Sequence, residues 1–467
     1  MLSSCSVGPD YIPPCVDVPS KWKSPAQSCE EDSAGQVSEQ ADLDYWWQVF
    51  EDSQLAELES WAIENNRDLF VACERIQEAR ALMGMAAAAF YPQINLSPQY
   101  TNTLELIKNY STLNVNTPAF RAHELLYFMP LNVSYEVDLW GKIKDQYDSA
   151  KYQWLAQKKN YEVVMLALTT DLAIAYYQLR AADSQIDLLL GVLKTRQKAY
   201  DINLARYTEK ITFYADVALA AEEVGSALLQ YNDVLRQRSV LENQIAVLIG
   251  VPASDFCLAH MPLDGPPPCI PQGIPSEVLL RRPDIAQAEY NTHAEHALVK
   301  GAYALFFPSL TLTTTGGFES PIFKDFMKWV SRFLMLGAQA NQLIFDGYKT
   351  PYYLDTQIAR FKEAGGEYQQ QMLIAFQEVE DALIDLDSYA KQYDLAVTTE
   401  QWAHKAYQLY LDRYTLGLIN YIDVANTEMS WLNYQLEVNS LQGLRYVTAI
   451  QLIKALGGGW APVQISP

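Results

Sequence analysis

Two stretches of the chain match each other: KAYDINLARYTEKITFYADVA at residues 198–218 and KAYQLYLDRYTLGLINYIDVA at residues 405–425. The second stretch begins 207 residues after the first, and Gly250 and Gly457 extend the match at the same offset. A repeat of this length indicates a duplicated domain rather than a short-period solenoid.

The duplication also predicts the domain boundaries. Upstream of the long match, Phe90-Tyr91-Pro92 pairs with Phe306-Phe307-Pro308 at a slightly larger offset, so two insertions or deletions keep the halves in register. The resulting segments are an N-terminal segment (1–66), a first repeat (67–250), a proline-rich connector (251–282), a second repeat (283–457) and a C-terminal tail (458–467).

Each repeat is predicted to hold a helix of moderate length, two strands and a long helical hairpin. Proline is absent from residues 131–251 and 352–461, which is rare unless helices fill such spans. The helical pattern from Gly141 to Thr208 corresponds to roughly 100 Å at 1.5 Å per residue. A helix of this length needs neighbours along it, as in a coiled coil. The alternative is a bundle of several shorter helices.

Short alternating segments predict the strands. Apolar and polar residues alternate over 94–101, 131–139 and 310–313, and an apolar fourth segment, 333–345, alternates less cleanly. Alternation with one face in lipid and the other in water is typical of a membrane barrel. Small closed barrels need about eight strands, and open edges are not tolerated in lipid. Several copies of the chain must therefore combine their strands.

Composition excludes some classes of function. The net charge is −22, which argues against binding to a phosphate backbone. Hydrophobic residues make up 49% of the chain, so general disorder is not expected. The 30 tyrosines suit a protein that lies partly at a water–lipid interface. The most apolar helical run, Val163 to Leu179, is interrupted by Asp171, and no transmembrane helix is expected.

The cysteines predict a lipid anchor and disulfides. Leu2-Ser3-Ser4-Cys5 has the pattern of a bacterial lipobox, in which the cysteine is acylated; this covalent lipid is the one attached group expected. No CxxC spacing supports a zinc or redox motif. Disulfides are possible between Cys257 and Cys269 and between Cys15 and Cys29, because each pair closes a short loop.

A series of short motifs runs through almost the whole chain. They are CSVGPDY at 5–11, WW at 46–47, DLWG at 138–141, RRPDI at 281–285, FPSL at 307–310, and Arg413-Tyr414, Gly417 and Asn420-Tyr421 in the last hairpin. Their types and order resemble the lipoprotein branch of the TolC-type outer-membrane efflux channels. The resemblance implies a mainly α fold with membrane β-strands.

In that family, three protomers build one channel. The resemblance therefore implies a homotrimer, with four strands per protomer in a shared twelve-stranded β-barrel and the long helices in a periplasmic tunnel. Residues 1–66, 251–282 and the C-terminus would form a belt around the tunnel. The implied partners are a periplasmic adaptor and a proton-driven inner-membrane pump, which supplies the energy, so no enzyme activity is expected.

The resemblance also implies a gate where the helices turn back, at Thr208–Ala218 and Thr415–Ala425. Asp216 and Asp423 match acidic positions at the family's constriction, and Tyr414 matches a tyrosine that holds the tips shut. We expect the Tyr414 hydroxyl to reach an acceptor on the neighbouring hairpin, such as Asp216. Two positions depart from the pattern: many relatives carry a second aspartate at the place of Asn426, and some carry arginine at that of Ile419.

Competing interpretations remain for several features. The two aspartates are alternatively ordinary turn or capping residues. His293 and His296 have the spacing of metal ligands, but Gln77 and Arg80 stand at the equivalent repeat positions, which favours a simple helix face. The alternative functions are a channel for protein secretion and a lipid-anchored coiled-coil scaffold. A scaffold would not need lipid-compatible strands.

Overall fold

The computed structural model describes residues 7–14, 16–23, 43–107, 120–270 and 281–458. Long α-helices dominate, with bounds α1 Ser53–Asn65, α2 Arg67–Ala88, α3 Lys142–Thr208, α4 Tyr214–Leu248, α5 Pro283–Ala304, α6 Lys349–Thr415 and α7 Tyr421–Ala455. The strands are β1 Gln93–Leu96, β2 Gln99–Ile107, β3 Phe120–Val137, β4 Ser309–Ser320 and β5 Arg332–Asn341.

Helix lengths confirm the duplication. Helices α3 and α6 each have 67 residues, α4 and α7 each have 35, and α2 and α5 each have 22. The alternative of several short helices is wrong, because α3 and α6 are each continuous. None of the described helices carries an apolar stretch long enough to cross a bilayer.

Both hairpins end on the same kind of backbone turn. After α4, the Val251 N–H bonds to the Ala246 carbonyl and the Gly250 N–H to the Val247 carbonyl, with Gly250 at φ +77°. This is a Schellman motif, which needs a left-handed residue. A Cβ atom at Gly250 would lie 2.5 Å from the Asn65 carbonyl oxygen, so only glycine fits there.

The strands form one antiparallel sheet in which β3 pairs with β4 and β4 with β5. The first predicted strand is divided, since β1 and β2 both pair with β3 in one register. Prolines explain the break: Pro98 lies between β1 and β2, Pro130 lies in β3, and neither has an N–H to donate. Across the break, the Ser97 N–H still bonds to the Pro130 carbonyl.

The chain divides into two compact units, and both repeats contribute to each. The first holds every described strand and comprises the described parts of Met1–Pro14, Ile76–Ala156 and Ala288–Glu367. The second comprises the described parts of Cys15–Arg75, Gln157–Gln287 and Tyr368–Pro467.

The core of the second unit anchors the N-terminal region to α3. Trp46 is buried, and its indole Nε1 donates to Thr169 Oγ1 at 3.1 Å. The Tyr176 hydroxyl donates to the Asp52 carboxylate at 2.8 Å. Asp52 also caps α1 by accepting from the first free N–H groups of that helix.

The turn between α3 and α4 offers a stability test. Lys210 has φ +59° where the second repeat has Gly417 at φ +74°. A left-handed conformation costs a non-glycine residue about 1–2 kcal/mol. Glycine avoids this cost, but part of the gain is lost because glycine has greater conformational entropy in the unfolded state. We expect Lys210→Gly to stabilise the protein by up to about 1 kcal/mol, measured by thermal unfolding in detergent.

Gly417→Ala is the matched control, because it introduces the same strain into the second repeat. It should lower the unfolding temperature. A Lys210→Gly variant that unfolds at a lower temperature than the parent would contradict this account of the turn.

Candidate functional site

The two hairpin tips have the same backbone design. In the first tip, the Ile211 N–H bonds to the Arg206 carbonyl at 2.8 Å and the Lys210 N–H to the Tyr207 carbonyl at 2.9 Å. The second tip repeats both bonds, with lengths of 3.0 and 2.9 Å. Each tip therefore leaves α3 or α6 through a Schellman motif and enters the next helix after a short turn.

The predicted gate residues follow these turns. Asp216 and Asp423 lie in the first turns of α4 and α7 and are half-buried, while Asn426 is exposed one turn further along α7. The Asp216 carboxylate accepts a hydrogen bond from the Thr212 hydroxyl. Carboxylates in this position also face the positive end of the helix dipole, so the capping interpretation is compatible with the geometry.

Tyr414 joins the two hairpins, but through other partners than predicted. Its hydroxyl donates to Asn203 Oδ1 at 3.1 Å and accepts from Arg206 Nη1 at 2.7 Å. The Arg206 guanidinium also lies 5.1 Å from the centre of the tyrosine ring. Burial raises the pKa of Tyr414, so the hydroxyl stays protonated and can donate.

Tyr414 does donate to the neighbouring hairpin as expected, but within this chain its acceptor is Asn203 and not Asp216. Asp216 is engaged by Thr212 in its own turn, while buried Asn203 is oriented by a bond from its side-chain amide to the Ala199 carbonyl at 3.0 Å. Sequence reasoning missed Asn203 because it has no counterpart in the second repeat. Arg206 carried a signal, since Arg413 repeats it.

A second set of polar residues lies buried behind the tips, and we call it the Arg196 cluster. Its members are Arg196 on α3, Glu223 on α4, and Tyr421 and Glu428 on α7. The Tyr421 hydroxyl donates to the Glu223 carboxylate at 3.0 Å, and Arg196 Nη1 donates to the Glu223 backbone carbonyl at 2.9 Å. The cluster thus also joins the two hairpins.

The histidine pair lies in the first unit, against the N-terminal segment. The His293 ring is 3.8 Å from the Tyr11 ring and 4.9 Å from the Tyr152 ring, measured between centroids. His296 Nε2 lies 3.1 Å from the Pro9 carbonyl oxygen. Burial lowers the pKa of both imidazoles. No group of metal-ligand side chains was found among the described residues.

The Cys257–Cys269 disulfide is not formed. Cys257 has a free thiol, whereas Cys269 is disulfide-bonded. The intervening segment is held along the helices: the Leu258 carbonyl accepts from Arg238 at 2.8 Å and the Asp264 carbonyl from the Tyr446 hydroxyl at 2.9 Å. These hydrogen bonds hold the segment against α4 and α7. Cys5, Cys15 and Cys29 lie outside the described residues.

With this geometry established, comparison with known proteins identifies the family. The model of the family described as "Outer membrane efflux protein" matches residues 58–251 and 274–458. This chain belongs to the outer membrane efflux protein family. The outer-membrane location and efflux role that the sequence motifs predicted are confirmed.

Relatives and a solved structure cover nearly the whole chain. The probable efflux pump outer membrane protein SepC of Pseudomonas putida is 28% identical over 100% of this chain and 96% of its own length. The probable outer membrane lipoprotein SilC of Salmonella typhimurium is 26% identical over 98% and 97%. The crystal structure of the Campylobacter jejuni CmeC outer membrane channel aligns with a TM-score of 0.87 at 25% identity, over 99% and 96%.

The cysteine assignments of this efflux protein can be mapped directly. Without reductant, a maleimide should label Cys257 in the purified, gently unfolded protein but leave Cys269 unlabelled. Reduction should make Cys269 reactive, and peptide mass spectrometry distinguishes the two sites. A Cys257→Ser variant controls for labelling elsewhere. A peptide in which Cys257 and Cys269 are cross-linked would contradict the assignment.

Proposed function

We propose that this protein is the exit duct of a tripartite efflux system, passing drugs or other small molecules from a periplasmic adaptor and a proton-driven inner-membrane pump to the exterior. It works as a homotrimer and carries no catalytic step, since the pump supplies the energy. The observation that supports this most is the pair of equal helical hairpins whose tips are held together by Tyr414.

The sheet supports the trimer. Within the described residues, β5 pairs only with β4, and β1 and β2 pair only with β3, so both edges of the sheet have free backbone groups. Apolar side chains along β5, such as Leu334 and Leu336, are about three-quarters exposed (69% and 76%). Such a sheet suits lipid only when its edges pair with other copies of the chain.

The tips act as the gate in this proposal. Tyr414 receives a charge-assisted hydrogen bond from Arg206, and such bonds contribute about 1.5–3 kcal/mol. Threefold repetition in a trimer multiplies that closing energy. Asp216, Asp423 and Asn426 would line the mouth, where crowded carboxylates attract cations.

Single-channel recording in planar bilayers tests the gate. Tyr414→Phe removes the hydroxyl that links the hairpins and leaves Arg206 without that partner, so conductance should rise several-fold. Tyr410→Phe is the matched control, because this tyrosine is exposed one turn earlier on α6, and it should conduct like the parent.

The aspartates give a separate result. Asp423→Asn should reduce the preference for cations without opening the tips, because it removes charge but no link between the hairpins.

Conductance of Tyr414→Phe equal to that of the parent would show that the gate lies elsewhere. Absence of any channel from correctly folded, reconstituted protein would contradict the duct itself.

The proposal includes a lipid anchor on Cys5. In protein that is expressed with a lipoprotein signal peptide, Cys5→Ala should abolish incorporation of a labelled fatty acid. Cys73→Ala is the control, because this free cysteine lies in α2, and it should be labelled like the parent. Undiminished labelling of Cys5→Ala would refute the anchor.

A further inference from the structure

The Arg196 cluster is buried, and its positive and negative charges do not balance. Arg196 is 1% exposed, and Glu223 and Glu428 are each 7% exposed. No ion pair joins Arg196 to either carboxylate in the described part of the chain, and its Nε has no hydrogen-bond partner there. One guanidinium therefore faces two carboxyl groups, so the fully ionised cluster carries one excess negative charge.

The position of the cluster makes this imbalance relevant to the tips. Counted along the helices at 1.5 Å per residue, its charged members Arg196, Glu223 and Glu428 lie roughly 10–18 Å behind the ends of α3, α4 and α7. Apolar packing continues toward the tip through Ala220, Tyr421 and Ala425, with Tyr414 against them. This packing connects the cluster with the residues that link the tips.

Glu428 is the group in the cluster that titrates near neutral pH. Burial raises its pKa to about 6; Arg196 opposes this shift and Glu223 adds to it. Burial also raises the pKa of Glu223, against the hydrogen bond from Tyr421 and the charge of Arg196, while Glu222 on the surface adds a smaller upward contribution.

The two tyrosines at the cluster stay neutral. Burial raises the pKa of Tyr407, which faces the cluster from α6, to about 12, and it also raises the pKa of Tyr421. Protonation of Glu428 therefore removes the excess negative charge of the cluster. When both glutamates are ionised, their buried carboxylates repel each other across the hairpins.

We propose that the Arg196 cluster is a proton-dependent latch, in which protonated Glu428 holds the two hairpins together behind the tips and ionised Glu428 loosens them. The raised pKa of Glu428 determines the direction of the pH dependence. The stabilising effect of protonated Glu428 is fully present below the ordinary glutamate pKa and is lost as the pH rises through about 6. An acidified periplasm would thus keep the duct closed.

This inference rests on the proposed gate at the tips, and recording across a pH series tests it. From pH 5 to pH 7.5 on the side facing the tips, conductance of the parent should rise several-fold, with a midpoint near the pKa of Glu428 (about 6). Glu428→Gln copies the protonated side chain and should keep the low conductance of the acidic state throughout. Glu437→Gln, an exposed position on the same helix, should follow the parent.

A second variant separates proton binding from general damage to the structure. Glu223→Gln removes the competing carboxylate but keeps a hydrogen-bond partner for Tyr421, so Arg196 then favours ionised Glu428. The conductance midpoint should move to lower pH. A variant that merely disturbed packing would change the conductance without moving the midpoint in this direction.

Thermal unfolding tests the latch independently of conduction. The unfolding temperature of the parent should fall more between pH 5 and pH 7.5 than that of Glu428→Gln, because only the parent must keep an ionised Glu428 buried. The latch is overturned if Glu428→Gln and the parent show the same pH dependence in both measurements. If Tyr414→Phe nevertheless opens the channel, the duct stands and only the latch fails.

Discussion

Backbone hydrogen bonding at the edges of the sheet is the constraint on which the rest of this structure depends. Within the described residues, one edge is formed by β1 and β2 and the other by β5, and each has donors and acceptors without strand partners. In hydrocarbon, every such group costs several kcal/mol when it is left unpaired. The free edges of this sheet therefore support the proposal that several chains share their strands in one duct.

Duplication provides two hairpins of equal length, but it does not make their tips equivalent. Tyr207 and Tyr414 occupy the same repeat position, yet Tyr207 packs on Tyr214 at 5.5 Å while Tyr414 bonds to Arg206 and Asn203 of the other hairpin. In the proposed gate, this asymmetry lets Tyr414 link one hairpin to the other. Tyr421 adds a second link behind the first, because its hydroxyl donates to the Glu223 carboxylate of the other hairpin.

Features encoded by local pattern were predictable from the sequence. Long spans without proline predicted α3 and α6, and the repeat predicted their equal lengths. Alternation located four strand positions, although Pro98 and Pro130 divided the first, because the ladder lacks two donors there. The outer-membrane family was evident from motifs spread along the whole chain.

Side-chain partners between hairpins were not predictable, because packing selects them from residues far apart in the sequence. Asp216 was the expected partner of Tyr414, but Thr212 engages it. Cys257 and Cys269 are close in sequence, but the helices hold the connecting segment along their surface. The sequence did contain one usable signal for the buried cluster. Arg196 is a charged residue in a helix, and the equivalent position of the second repeat holds the uncharged Ala403.

The mass of the purified protein in mild detergent tests the central claim most directly. Light scattering with the detergent contribution subtracted, or native mass spectrometry, gives the number of chains in the folded particle. The shared-sheet account predicts a helix-rich particle with three times the mass of one chain, unchanged on dilution. A stable, folded, monomeric particle would contradict it, because the edges of its sheet would then have to be satisfied by one chain alone.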